Sequence, residues 1–367
     1  MNDLSGLSFK ATLQPGTQVG GTDLVVNVKE DKRVISELEL NNFGTENTGE
    51  YRFIPSVTLP NFSGRGDELG VAVVSAFDAN ETLYGTGHYS RPVGYNGLAL
   101  NGYVSAGRYE IGEEFAFLGS EGENFSFGVG ASYPIFKTTE RSLMVDGWFS
   151  WLDSQQDAAG QTIFEDNIRK LQLGLSFDDK DSSGRTMASA KIHQGLGEVL
   201  GGMESDSTDS SRGDARADNV FTKLSFDVAR LQRINDRMYL IARFSGQIAA
   251  NTLVASEEWS IGGANSVRGF PQGIHLGDHG YTANLESRYT VFKSTNDYQL
   301  VAFVDQGAVY LKNPLQHQAD SYSIGGAGVG TRVAIGEHAS IRADVAVPFG
   351  EEAEDDVSLY LQGRFTF

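Results

Sequence analysis

From Val34 to the C-terminus the chain repeats one pattern, segments of roughly ten residues, apolar at every second position and divided by polar turns. A period of two places one row of side chains on each face of a strand. The segments are Val34–Asn42, Gly49–Leu59, Asp67–Asp78, Thr82–Pro92, Leu98–Ile111, Glu123–Tyr133, Ser142–Asp153 and Asn167–Phe177. They continue as Arg185–Glu198, Ala217–Leu231, Arg237–Ala249, Gly280–Phe292, Asp297–Leu311, Tyr322–Ile335, Ala339–Pro348 and Val357–Phe367. That is about sixteen strands, an even number, as bacterial single-chain barrels have. Charges keep to the face opposite the apolar row. Val220, Leu224, Phe226 and Val228 alternate with Lys223, Ser225 and Asp227, and Ile341, Ala343, Val345 and Val347 alternate with Arg342 and Asp344.

Alternation alone does not say whether the apolar face looks in or out. Loop lengths do. Connections after even strands are short (Asn61–Gly66, Val93–Gly97, Ile135–Glu140, Lys293–Asn296, Gly336–His338). Those after odd strands tend to be long and acidic (Gly112–Gly122, Ser154–Asp166, Val199–Arg216, Ala250–His279, Phe349–Asp356), with Ala79–Glu81 an exception. Short turns on one rim and long loops on the other are the pattern of outer-membrane barrels. A soluble barrel of this size would enclose charge and expose an apolar exterior. The fold expected is therefore all-β, a transmembrane antiparallel β-barrel of about sixteen strands over residues 33–367, apolar face toward lipid.

Composition narrows the function. The chain has 367 residues, no Cys and a formal net charge of −19. No Cys excludes disulfides and Cys-ligated metals. The acidic balance argues against nucleic acid as a partner, because phosphate binding needs a basic face. No run reaches the roughly 20 apolar residues of a membrane helix. Residues 1–32 differ from the rest. Leu7–Leu13 and Asp23–Val28 read as two short strands joined through Pro15-Gly16 and Gly20-Gly21. Met1-Asn2-Asp3 carries no secretory signal, so a protein acting outside the cytoplasm is expected here as a fragment or a processed form.

One connection stands out. Between the eleventh and twelfth segments lies WSIGGANSVRGF, Trp259–Phe270, Gly-rich with the single cation Arg268. Ser266-Val267-Arg268-Gly269-Phe270, preceded by Ser260-Ile261-Gly262-Gly263, resembles the signature of the two-partner secretion transporters, the haemolysin activation/secretion proteins related to the outer-membrane insertases. Tyr281–Tyr289 is similar to the strand after that signature, and Phe303-Val304-Asp305-Gln306-Gly307 to the family's acidic-glycine strand motif. The terminal Phe365 and Phe367 are similar to the signal read by the barrel-assembly machinery. Residues 1–32 resemble the end of the periplasmic POTRA domain that precedes the barrel.

The resemblance implies a pore that passes a partner exoprotein from periplasm to cell surface. It also implies that the signature loop folds into the lumen, with Arg268 meeting an acid on the inner wall. Asp305 is the expected partner, with Glu286 and Asp227 as competing acids. A buried guanidinium must be paired to avoid a large desolvation cost. Gly262, Gly263 and Gly269 would let the loop turn tightly. The expected partners are the exoprotein, the barrel-assembly machinery, and outer-membrane lipid and lipopolysaccharide, with no nucleic acid and a monomeric chain. Signal peptide, plug helix and most of the POTRA region of a full transporter have no match in these residues, and in the family the POTRA domains capture the exoprotein.

No cofactor and no metal are expected. His275 and His279 with Asp278 are spaced for a helix but lie in a Gly-rich loop, and His193 follows Lys191 on an inward row without a convergent ligand set. The acidic Glu204–Asp214 stretch lacks the glycine and terminal glutamate of a calcium loop. No Gly-X-Ser-X-Gly elbow or catalytic cluster points to an enzyme. No Gly-X4-Gly-Lys-Ser/Thr motif supplies an ATP engine. The rival functions are a barrel-assembly insertase and a passive porin.

Overall fold

The computed structural model describes residues 4–15, 22–77, 82–204, 208–292, 296–350 and 357–367. An N-terminal hairpin comes first, β1 (Leu7–Pro15) with β2 (Thr22–Glu30), paired as a separate two-stranded sheet. The turn residues expected at Gly16, Gly20 and Gly21 lie outside the described residues. Ser5 Oγ ties the hairpin to the barrel by donating to Glu68 at 2.6 Å, and the amide of Asp31 closes the hairpin's own base by donating to the Gly6 carbonyl at 3.0 Å.

The barrel strands follow: β3 (Ile35–Asn41), β4 (Arg52–Pro60), β5 (Glu68–Ala76), β6 (Leu83–Val93), β7 (Leu98–Ile111), β8 (Ser120–Lys137), β9 (Arg141–Ala158) and β10 (Gln161–Lys180). Next are β11 (Gly184–Gly195), β12 (Thr222–Arg233) and β13 (Met238–Ala249), then a short ribbon of β14 (Trp259–Ile261) with β15 (His275–Gly277). The last are β16 (His279–Phe292), β17 (Asn296–Tyr310), β18 (Ser321–Ile335), β19 (Ala339–Phe349) and β20 (Ser358–Thr366). All but β1, β2, β14 and β15 form one closed antiparallel barrel of sixteen strands. The ring closes where Gln362–Thr366 of β20 pairs with Glu37–Asn41 of β3, and the Phe367 amide donates to the Ser36 carbonyl at 2.9 Å.

The alternating rows sort as the pattern requires. On β10, Leu171, Leu173 and Leu175 are exposed on the outer surface, while Lys170 and Gln172 face the lumen. Phe365 and Phe367 lie on the same outer belt as Leu359 and Leu361. An outer row of exposed aliphatic and aromatic side chains is stable only against lipid.

Three strands run further than alternation alone marked. The segment Ser154–Asp166, expected as a long acidic loop, is hairpin: β9 and β10 stay paired up to Ala158 and Gln161, turning at Ala159-Gly160. Gly160 has φ of +74°, which a left-handed turn needs. Polar residues such as Gln155, Asp157 and Thr162 hide that strand from a hydrophobicity pattern, because above the membrane both faces meet water. Likewise Ser120–Gly122, read as loop, belongs to β8. The connections Ala79–Glu81, Lys293–Asn296 and Phe349–Asp356 lie wholly or partly outside the described residues, as do Ser205–Ser207 of the acidic stretch.

Candidate functional site: a loop anchored inside the barrel

The connection from Ala250 to Asp278 does not stand off the rim. Its ribbon β14–β15 packs on β16 and β17, and residues 262–274 lie inside the barrel against the inner wall. Gly262 and Gly263 have φ of +102° and +96°, and Gly269 has φ of +104°, values that side-chain-bearing residues avoid. A Cβ at Gly262 would sit 2.4 Å from the Pro271 carbonyl oxygen, so the turn also needs the missing side chain for space. The turn is closed by the Gly263 amide donating to the Phe270 carbonyl at 3.1 Å and the Ser266 amide to the Gly263 carbonyl at 3.1 Å.

Arg268 is the centre of the contact, 5% exposed. Its Nε and Nη2 donate to the two carboxylate oxygens of Asp305 on β17 at 2.6 and 3.0 Å, a two-point fork. Its Nη1 reaches Glu286 on β16 at 3.0 Å and Asp344 on β19 at 3.3 Å. The guanidinium also lies 3.3 Å from the centre of the Phe303 ring. The acids are themselves shared. Arg288 binds Glu286 at 2.5 Å, Arg332 binds Asp344 at 2.5 Å, and Arg342 binds Asp344 at 2.8 Å. A buried charge is tolerable when its partner is charged and its donors are filled. Here three carboxylates face four guanidiniums, and Asn284 completes Asp305 with a bond of 2.9 Å while holding the Ser266 carbonyl at 2.6 Å. Asp227, the third acid considered from sequence, faces the lumen elsewhere and binds Arg243 at 2.7 Å and Ser245 at 2.5 Å.

The wall is shaped for the loop. A Cβ at Gly326 would fall 1.8 Å from the Arg268 carbonyl oxygen, and one at Gly307 would fall 2.9 Å from a Val267 methyl. Val267 and Phe270 bury with Ile261, Val309 and Ile324. The Tyr360 hydroxyl accepts from the Gly269 amide and donates to the Phe270 carbonyl, both at 3.0 Å. The Ser266 hydroxyl is buried without a bonding partner. Asp344, Gly326 and Tyr360 were not singled out from sequence, and Phe303 was named only as part of the acidic-glycine strand motif. Asp344 does lie in the charged row of its strand. Choosing it needed the register that sets β19 two strands from β17.

His275 stacks on Tyr322 with ring centres 4.1 Å apart, and His279 Nδ1 accepts from the Ala249 amide at 3.1 Å. Each ring has a packing or capping task. Among the described residues no group of three His, Cys, Asp or Glu side chains is placed to hold a metal.

A family model for haemolysin secretion/activation proteins (ShlB/FhaC/HecB) matches residues 20–333, most of the chain and all of the loop and its wall up to Arg332. The chain belongs to this family. The heme/hemopexin transporter protein HuxB of Haemophilus influenzae (strain 86-028NP) is 24% identical over 296 residues, covering 79% of this chain and 51% of the relative. The outer membrane transporter CdiB of Dickeya dadantii (strain 3937) is 25% identical over 350 residues, covering 91% and 60%. The solved structure of CdiB from Escherichia coli superposes with a TM-score of 0.86 at 18% identity, over 98% of this chain and 67% of that one; this likeness speaks for the fold. The chain thus spans between half and three fifths of the length of these curated relatives.

Proposed function

We propose that this barrel is the outer-membrane pore of a two-partner secretion transporter. It passes a partner exoprotein of haemolysin, haemagglutinin or adhesin type from periplasm to cell surface, with the loop around Arg268 as the movable obstruction. The observation that carries the reading is the anchoring of that loop inside a closed sixteen-strand barrel by Arg268 on Asp305, Glu286 and Asp344. An obstruction held by ion pairs and hydrogen bonds can be released without breaking the barrel, which suits a gate. Family membership supplies the class of cargo. An extended chain in transit displaces the loop.

Further assignments belong to the same reading. Residues 1–32 are the C-terminal end of a POTRA domain with its linker, set on the periplasmic rim. Phe365 and Phe367 present the assembly signal to the barrel-assembly machinery and afterwards face lipid and lipopolysaccharide. The chain acts as a monomer and performs no enzymatic step.

The test is secretion of the exoprotein encoded with the transporter. Export in this reading needs the loop to return to a defined seat between transits as well as to leave it, so Arg268→Ala and Asp305→Ala each reduce export while barrel assembly persists, and the exchange Arg268→Asp with Asp305→Arg restores part of it. Normal export by Arg268→Ala would remove the loop from the mechanism.

A further inference from the structure

We infer that Glu257 is a second anchor of the same loop, distinct from Arg268 and opposite in sign, so that the loop is a strap fixed to two neighbouring arcs of the barrel wall. The inference rests on the pore-loop reading and adds a positioning residue to it. Glu257 ends the short turn Ala255–Glu257 that leads into β14, and its side chain is 3% exposed. Its Oε1 lies 2.5 Å from Lys170 Nζ on β10, and its Oε2 lies 2.8 Å from Lys223 Nζ on β12. The main chain is held as well, since its carbonyl accepts from Lys223 Nζ at 2.6 Å and from Gln247 Nε2 at 2.9 Å.

Three features separate this from an incidental ion pair. First, the wall brings two lysines, 17% and 8% exposed, into reach of one carboxylate. Without Glu257 two like charges would face each other in a poorly hydrated site, so the site is complete only when the loop is in place. Second, the Glu257 amide donates to the Val254 carbonyl at 2.9 Å, and Val254 belongs to a buried apolar cluster with Ile168, Met203, Phe221 and Leu253, surroundings that strengthen a charge pairing. Third, the polarity is reversed. At Glu257 the loop supplies the anion to cations of the wall; eleven residues later, at Arg268, it supplies the cation to anions of the wall. Neither anchor binds the other's seat, which fixes the register of the strap along the ring from β10 and β12 to β16, β17 and β19. Releasing Arg268 alone leaves the β14 end pinned.

Planar-bilayer recording on the purified full chain tests this without the exoprotein. Glu257→Gln and Arg268→Ala each leave a channel closed most of the time. The double variant has an open fraction about tenfold above either single variant, as expected for two anchors of one strap. Lys170→Gln with Lys223→Gln behaves as Glu257→Gln does. In the Arg268→Ala background, Glu257→Lys combined with Lys170→Glu and Lys223→Glu closes the channel that Glu257→Gln opens there, a rescue that lost packing alone would not give. A double variant no more open than Arg268→Ala would overturn the second anchor. A wild-type chain that is already a large, steady channel would instead overturn the pore-loop reading itself, so the two failures are distinct.

Discussion

At the scale of single residues, the account turns on geometry that few side chains could supply. Arg268 offers one fork to Asp305 and keeps a third nitrogen for Glu286 and Asp344. Lysine carries the charge but not the fork, so Arg268→Lys is expected to behave much closer to Arg268→Ala than to wild type in export. Removing the guanidinium leaves its acids short of a buried partner, a loss on the order of 3–5 kcal/mol in the seating of the loop. On the wall side, Gly326→Val puts a side chain where the Arg268 carbonyl lies 1.8 Å from a bare Cβ position. The expected result is a barrel that assembles with its loop expelled, seen as new cleavage within residues 262–274 by protease added outside intact cells. Protection equal to wild type would contradict the fit. Arg268 and Asp305 were legible in the sequence through the resemblance of their motifs to a family signature, and Glu286 through its place on an inward row. Asp344 and Gly326 were not, because which inward residues meet a loop depends on register between strands far apart in the chain.

At the scale of elements, hairpins and turns carry the order. The turn before β5 is built on Asp67, which is fully buried and accepts from the Ser63 amide at 2.9 Å and the Tyr89 hydroxyl at 2.8 Å. Burial pushes its carboxyl up, and these donors more than offset that, holding it down at about 2. Its folded value lies below the unfolded value of about 3.9, so its contribution is fully present above that pH and is lost as pH falls through about 2. Asp67→Asn should therefore lower resistance to unfolding by about 1–3 kcal/mol at neutral pH and flatten the acid limb between pH 4 and pH 2. Thermal melts in detergent across that range check both. Strand positions within the membrane were legible from alternation, and β7 runs over the expected Leu98–Ile111. The extensions of β9 and β10 were not, since Gln155–Ala158 and Gln161–Asp166 stand where neither face has lipid to select apolar side chains.

At the scale of the whole molecule, a closed ring with its apolar row outward makes lipid the solvent of the exterior and leaves the lumen to charge. The number of strands and the address of the loop between the eleventh and twelfth of them followed from the repeating pattern. How the loop is seated along the wall did not, because Glu257 reads as one acid among many until β10 and β12 bring Lys170 and Lys223 to it. The central claim is that this loop must leave its seat for export. Val267 and Gly307 allow a direct measurement, since a Val267 methyl lies 2.9 Å from the Cβ position at Gly307, the separation a disulfide needs between sulfur and the opposing Cβ. The chain has no other cysteine to interfere. In a Val267→Cys, Gly307→Cys variant, export of the exoprotein should stop when the bond is formed and return when it is reduced. Export at the reduced rate with the bond fully formed would contradict the account.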